Sequence, residues 1–220
     1  MRKTYSVSSL NCFHSISNYV DLGNRLVGGI NMNKKRIIYT ISFITILIVF
    51  LLFNYYTLNF SNEGILENVI NKHGYSVNIE KEQVPIEVYV KPEWITFESD
   101  EKKNLNVKVL EINNTNIILD NVWNRGNDIY FSFHTATNMK YSSGEFLYNV
   151  VLNEDGTFTQ PSPGKILIYD ENHKNIPVGQ TGYGPGGDFS FGIQPENQIN
   201  IKNGFYVNYT GYILYEYIKK

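Results

Sequence analysis

Beyond residue 53, three of the four histidines, His73, His134 and His173, and a scatter of carboxylates are the residues whose types could move a proton or hold a metal. A zinc site takes ligands at helical or hairpin spacing, and acid–base chemistry needs a second titratable group within reach. None of the three histidines has such a companion along the chain. His134 lies in "DIYFSFHTAT", where it alternates with Phe131 and Phe133 and so shares a strand face with Tyr130 and Ser132. It reads as a hydrogen-bonded surface histidine, with Asp120, Asp128 and Glu145 as carboxylates a fold could bring to it. Glu154-Asp155-Gly156 and Asp170-Glu171 resemble calcium-loop fragments, but the D-x-[DN]-x-[DN]-G spacing is missing and they read as hairpin turns. No G-x-S-x-G elbow and no H-E-x-x-H occurs. The chain is expected to carry no catalytic residue, no metal site and no cofactor.

"TGYGPGGDFSFG", residues 181–192, contains the spelling G-x-G-x-x-G. A phosphate-cradling loop of that kind needs a buried strand entering it and a helix leaving it. Here the preceding "DENHKNIPVGQT" is polar and turn-rich, and the following "DFSFGI" alternates with period two. The segment is expected to be a flexible glycine-rich loop between strands, with Tyr183, Asp188 and Phe189 as candidate contacts for a partner.

The element that must place these residues is read first from hydropathy. "IIYTISFITILIVFLLF", residues 37–53, has no charged residue, and its 17 residues rise roughly 25 Å as a helix. With the flanking "NYYTLNF" it can cross a hydrocarbon core of about 30 Å. Lys34, Lys35 and Arg36 precede it and no basic residue follows before Lys72. The positive-inside rule then puts the N-terminus in the cytoplasm and the rest outside, with Tyr55 and Tyr56 near the outer interface. The expected organisation is a leader over 1–36, an anchor embedded in the lipid bilayer over 37–53, a linker with a short helix over 54–83, and an external domain over 84–220. "NYYTLNFSN" offers no A-x-A-like cleavage site, so the anchor is expected to stay uncleaved. Met32 opens "MNKKRIIYTISF", a well-formed anchor start, and translation beginning there is the expectation.

Of the 19 Lys and Arg, 13 lie beyond residue 53, against 20 of the 21 Asp and Glu, a net −7. Such a domain is repelled by nucleic acid, which is not an expected partner. The one cysteine, Cys12, lies in the leader, so the domain has neither disulfide nor thiol nucleophile. Richness in Asn, Ile, Lys and Tyr points to an AT-rich genome, and in style the chain resembles surface proteins of low-GC Gram-positive bacteria.

Ser61 caps a short helix with Ile65, Leu66, Val69 and Ile70 as its apolar stripe and Gly74 as its stop. Strands are predicted over 86–90, 95–98, 105–112, 117–122, 129–135, 146–152, 165–169, 189–193 and 205–218. "NNTN", "NRGND", "NEDGT", "PSPG" and "DENHKN" are the turns between them. The fold class is mostly β: one transmembrane helix, a short helix and an antiparallel β-sandwich of immunoglobulin-like architecture, with a barrel as the alternative. In the last strand Phe205, Val207, Tyr209, Ile213 and Tyr215 share the expected core face. Tyr206 and Tyr212 share the other, where they would be free to stack on a sugar or a partner.

These features lead to a membrane-anchored binding or interaction module at a bacterial cell surface, with an envelope protein or glycan as partner. An envelope enzyme acting on wall glycan or peptide, and an accessory subunit of a membrane sensor, are the alternatives.

Overall fold

The structure, a computed structural model, describes residues 34–161 and 164–220; residues 1–33 of the leader, with Cys12 and Met32, and the middle of "PSPG", lie outside the described residues. Two compact units divide at residue 53. The first holds most of helix α1, Lys34–Phe60, the one helix among the described residues long and apolar enough to cross a membrane. None of its side chains is buried.

The second unit begins with helix α2, Asn62–Ile70. Ser61 caps it as read, its hydroxyl accepting the Gly64 N–H at 3.0 Å. Ile65 and Val69 are buried and the helix ends before Gly74, which has φ 77°. Among the described residues twelve strands follow: β1 Tyr75–Val90, β2 Lys102–Ile112, β3 Thr115–Asn124, β4 Ile129–Thr137, β5 Ser143–Tyr148, β6 Val151–Leu152, β7 Phe158–Thr159, β8 Ile166–Tyr169, β9 Asn175–Ile176, β10 Thr181–Tyr183, β11 Phe189–Ile193 and β12 Phe205–Lys219.

All pairs are antiparallel. One five-stranded sheet runs β1-β12-β8-β9, with β5 beside the second half of β12, a second runs β10-β11-β4-β3-β2, and β6 and β7 pair as a separate two-stranded hairpin. Neither closes into a barrel. Turn chemistry behaves as read: Asn113 and Asn114, with φ 47° and 54°, make the two-residue turn between β2 and β3. Residues 95–98 are not a strand. Pro92–Trp94 forms a 3-10 turn, Ile95 and Thr96 are both buried, and the Ile95 carbonyl accepts the Lys103 ammonium at 2.8 Å. Strand β1 starts at Tyr75, so residues 75–83, read as linker, pair with β12.

The two sheets share one core. Val84, Ile86, Val88 and Val90 of β1 and Phe205, Val207 and Tyr209 of β12 meet Phe131 and Phe133 of β4 and Phe189 and Phe191 of β11. A second cluster lies under α2, where Ile65 and Val69 cover Phe146, Ile213, Tyr215 and Tyr217.

Strand β12 serves both clusters because it is bulged. Ile86 pairs with Tyr209 and Val84 with Tyr212, so three steps along β12 match two along β1. The extra residue inverts the in–out alternation. Tyr212 and Leu214 therefore continue the face of Phe205, Val207 and Tyr209, while Ile213, Tyr215 and Tyr217 turn to the second cluster. Gly211 allows this, because a Cβ there would come within 2.1 Å of the Tyr209 hydroxyl. The reading of Tyr212 as solvent-facing is thus corrected: its side chain is fully buried.

Candidate functional site

The glycine loop between β10 and β11, expected to be flexible, is hydrogen-bonded along its length. Tyr183 ends β10, Pro185–Gly187 form a tight turn, and the Gly184 N–H closes it on the Asp188 carbonyl at 3.0 Å. Gly186 and Gly187 have φ 84° and 97°, where L side chains are strained. At Gly187 a Cβ would also meet Thr135 Oγ1 at 2.7 Å.

Three buried or half-buried side chains hold the turn from below. Asn149 donates to the Gly184 carbonyl at 2.8 Å and to the Asp188 carbonyl at 3.4 Å, and its Oδ1 accepts the Gly187 N–H at 3.2 Å. The Tyr212 hydroxyl donates to the Gly187 carbonyl at 2.8 Å, and Thr135 Oγ1 donates to the Gly186 carbonyl. The flanks are equally committed. Tyr183 donates its hydroxyl to the Gly164 carbonyl at 2.8 Å, and Phe189 is 1% exposed.

Above the pinned turn opens a cleft of about 430 Å³, walled by Asn62, Glu63 and Leu66 of α2, by residues 134–138 at the end of β4, and by Gly186 and Asp188. Tyr130, Ser132 and His134 share the outer face of β4 as the alternation required, and His134 reaches this cleft. Asp120 of β3 lies beside it, 3.8 Å from Nδ1 to Oδ1.

Burial pushes the Asp188 carboxyl above the usual carboxylate range, an effect that the Thr135 N–H and the nearby His134 oppose and Asp120 reinforces. Two other carboxylates considered with His134 go elsewhere. Asp128 binds the Arg125 guanidinium, with Nε to Oδ1 at 2.7 Å, and Glu145 accepts from Asn113 at 2.9 Å.

Of the five predicted contact residues the structure brings one, Asp188, to the cleft. Phe189 and Tyr212 are core residues, so the reading of Phe189 as a candidate contact and of Tyr212 as a solvent-facing stacking residue is corrected: both side chains face inward, Tyr212 after the bulge. Tyr183 stacks on Tyr209 with centroids 6.1 Å apart. Tyr206 is half-buried between Tyr89 at 5.0 Å and His173 at 5.4 Å, away from the cleft residues. Sequence reasoning missed Asn149 and Thr135. A lone Asn between Tyr148 and Val150 gives no local signal; only its burial, at 5% exposure, marks it.

A larger hollow of about 660 Å³ opens at the β12 bulge, lined by Glu82, Gln83, Lys165, Thr210 and Gly211 among others. Its charged members, Glu82 and Lys165, are both exposed. The perturbed carboxyl and the histidine lie in the smaller cleft, which is therefore the better candidate.

Comparison with family models, with curated proteins and with solved structures yields no match, and the site is read from its own chemistry.

A pH prediction follows from Asp188. A folded-state value raised above the unfolded 3.8 means the folded domain binds the proton more tightly. That stability is fully present below the unfolded value and is lost as pH rises through the folded value. Asp188→Asn removes the penalty: the variant should melt higher than the parent at pH 7, and the gap should close as pH falls toward 4. Thermal unfolding across that pH range checks it.

Proposed function

We propose that the chain is a single-pass membrane protein whose β domain stands outside a bacterial cell and binds an envelope partner, protein or glycan, through the cleft beside the glycine loop. The apolar run of α1 with Lys34, Lys35 and Arg36 on its N-terminal flank supports the topology, with the N-terminus in the cytoplasm. Tyr55 and Tyr56 then mark the outer interface. Two antiparallel sheets sharing a core support an immunoglobulin-like sandwich as the external scaffold.

The observation that carries the binding reading is the pinned turn. Asn149, Tyr212 and Thr135 hold main chain rigidly under an open, polar cleft, and rigid scaffolds presenting loops are where binding residues concentrate. Asp188, His134 and Glu63 give the cleft acceptors and a titratable donor, which suit a partner rich in amide, hydroxyl or ammonium groups.

An envelope enzyme is the second reading. It is favoured by His134 lying 3.8 Å from Asp120 and lining the same cleft as Asp188, groups that acid–base chemistry can use. Capture of the partner on intact cells by an impermeant cross-linker at the cleft wall tests the proposal.

A further inference from the structure

Residues 54–60, the last two turns of α1, join the floor of the β domain in one aromatic stack. Tyr56 stacks on Phe60 with centroids 5.8 Å apart, Tyr55 meets Phe60 edge-on at 6.2 Å, and Phe60 stacks on Tyr141 at 4.7 Å. The Lys219 ammonium lies 3.3 Å from the centre of the Tyr141 ring. The main chain keeps these parts together: Lys219 N–H donates to the Ser142 carbonyl at 2.7 Å and Lys220 N–H to the Gly74 carbonyl at 2.9 Å. Yet the rings are open, with Phe60 at 40%, Tyr141 at 41%, Tyr55 at 60% and Tyr56 at 61% exposure. Lys140 and Lys220 are exposed beside them.

The height of this floor follows from α1. A helix needs about 20 residues to cross a hydrocarbon core of about 30 Å. Counted from Ile37, that run ends at Tyr56. Phe60 then stands about 6 Å higher, within a headgroup layer roughly 5–8 Å deep. Tyr141, stacked on Phe60, is brought to the same level by the fold and not by its place in the chain. Tyrosine rings, with an apolar body and a polar tip, favour this layer, as in Tyr55, Tyr56 and Tyr141, and lysines beside them reach lipid phosphates.

We propose that Phe60, Tyr141, Lys140 and Lys219 form a docking floor that rests in the outer headgroup layer of the same bilayer that α1 crosses, a reading that rests on α1 being the anchor. The domain's charge makes the orientation selective. With a net −7 beyond residue 53, an anionic surface repels the domain as a whole, and the lysines of the floor favour turning this face toward it. Floor-down docking points the β8–β9 hairpin, at the opposite end of β12, away from the membrane.

The full chain, in a Cys12→Ser background, is reconstituted into phosphatidylcholine vesicles with about 30% phosphatidylglycerol and lipids carrying a nitroxide quencher. An environment-sensitive fluorophore is attached to a single cysteine at Ser142→Cys on the floor, Asn172→Cys on the β8–β9 hairpin, or Val49→Cys within α1. The proposal expects strong quenching at position 49 and at least about threefold more at 142 than at 172. Lys140→Glu with Lys219→Glu should bring 142 down toward the level of 172. Quenching at 49 with 142 no different from 172 overturns the docking floor and leaves the anchor standing. No quenching at 49 overturns both. A charge reversal without effect at 142 removes the lysines from the interaction.

Discussion

Phe189→Ala will lower the stability of the β domain by about 3–5 kcal/mol, the usual range for emptying a buried phenylalanine site. The side chain is 1% exposed and ties the two sheets together. It stacks on Phe133 of its own sheet with centroids 4.6 Å apart and rings within 3° of parallel, and on Tyr209 of the opposite sheet at 4.5 Å. Truncation removes both ring contacts and leaves a cavity between layers that cannot collapse, because Tyr209 is held in turn by Tyr212 at 4.9 Å. At roughly 2–4 °C per kcal/mol for a domain of this size, the melting temperature should fall by about 10 °C. Thermal unfolding of the full chain in detergent measures it. A contact residue at the surface would instead leave the melt unchanged, so this measurement separates the two roles considered for Phe189.

The second large effect is expected at Asn149. Its amide makes three hydrogen bonds to the glycine turn from a site that is 5% exposed. Asn149→Ala deletes all three and leaves the Gly187 N–H buried without that acceptor. Net hydrogen bonds of about 1 kcal/mol, with about 1–3 kcal/mol for an orphaned buried group, put the loss near 3 kcal/mol. The effect should be local as well as global. Hydrogen exchange at the Gly187 amide should speed up by a larger factor than at the central β4 amides, because the turn is released before the sheet opens. Uniform acceleration across both would mean that Asn149 supports the fold without specifically pinning the turn.

Strands whose apolar residues alternate with polar ones were legible in the sequence. Period-two alternation located β2, β3, β4 and β11, and Asn and Gly marked the turns between them. Where burial is absent the signal is absent too. In β1, residues 78–83 are exposed and pair on one side only, so "NIEKEQ" carries no alternation although it is a strand. The β9 and β10 strands, of two and three residues, are too short for any period.

The candidate site was harder for a different reason. Alternation along β12 assigns Tyr212 outward, but the bulge that inverts it arises from pairing with β1, a strand more than 100 residues earlier. Asp188 and the outer face of His134 were readable from local pattern. That these two residues share a cleft with α2, over a turn held by Asn149, depends on packing that no local stretch encodes.

The most direct test of the account is site-directed capture on intact cells. Asn138→Cys, at the cleft wall, and Asn172→Cys, on the β8–β9 hairpin, are placed separately in a tagged Cys12→Ser chain and treated with a membrane-impermeant thiol reagent bearing a photo-reactive group. The account predicts that both cysteines react before lysis, that illumination captures one defined envelope component from position 138 and not from 172, and that Asp188→Asn weakens the capture. Reaction only after lysis would contradict the external placement of the β domain, and identical capture from both positions would contradict the cleft as its binding site.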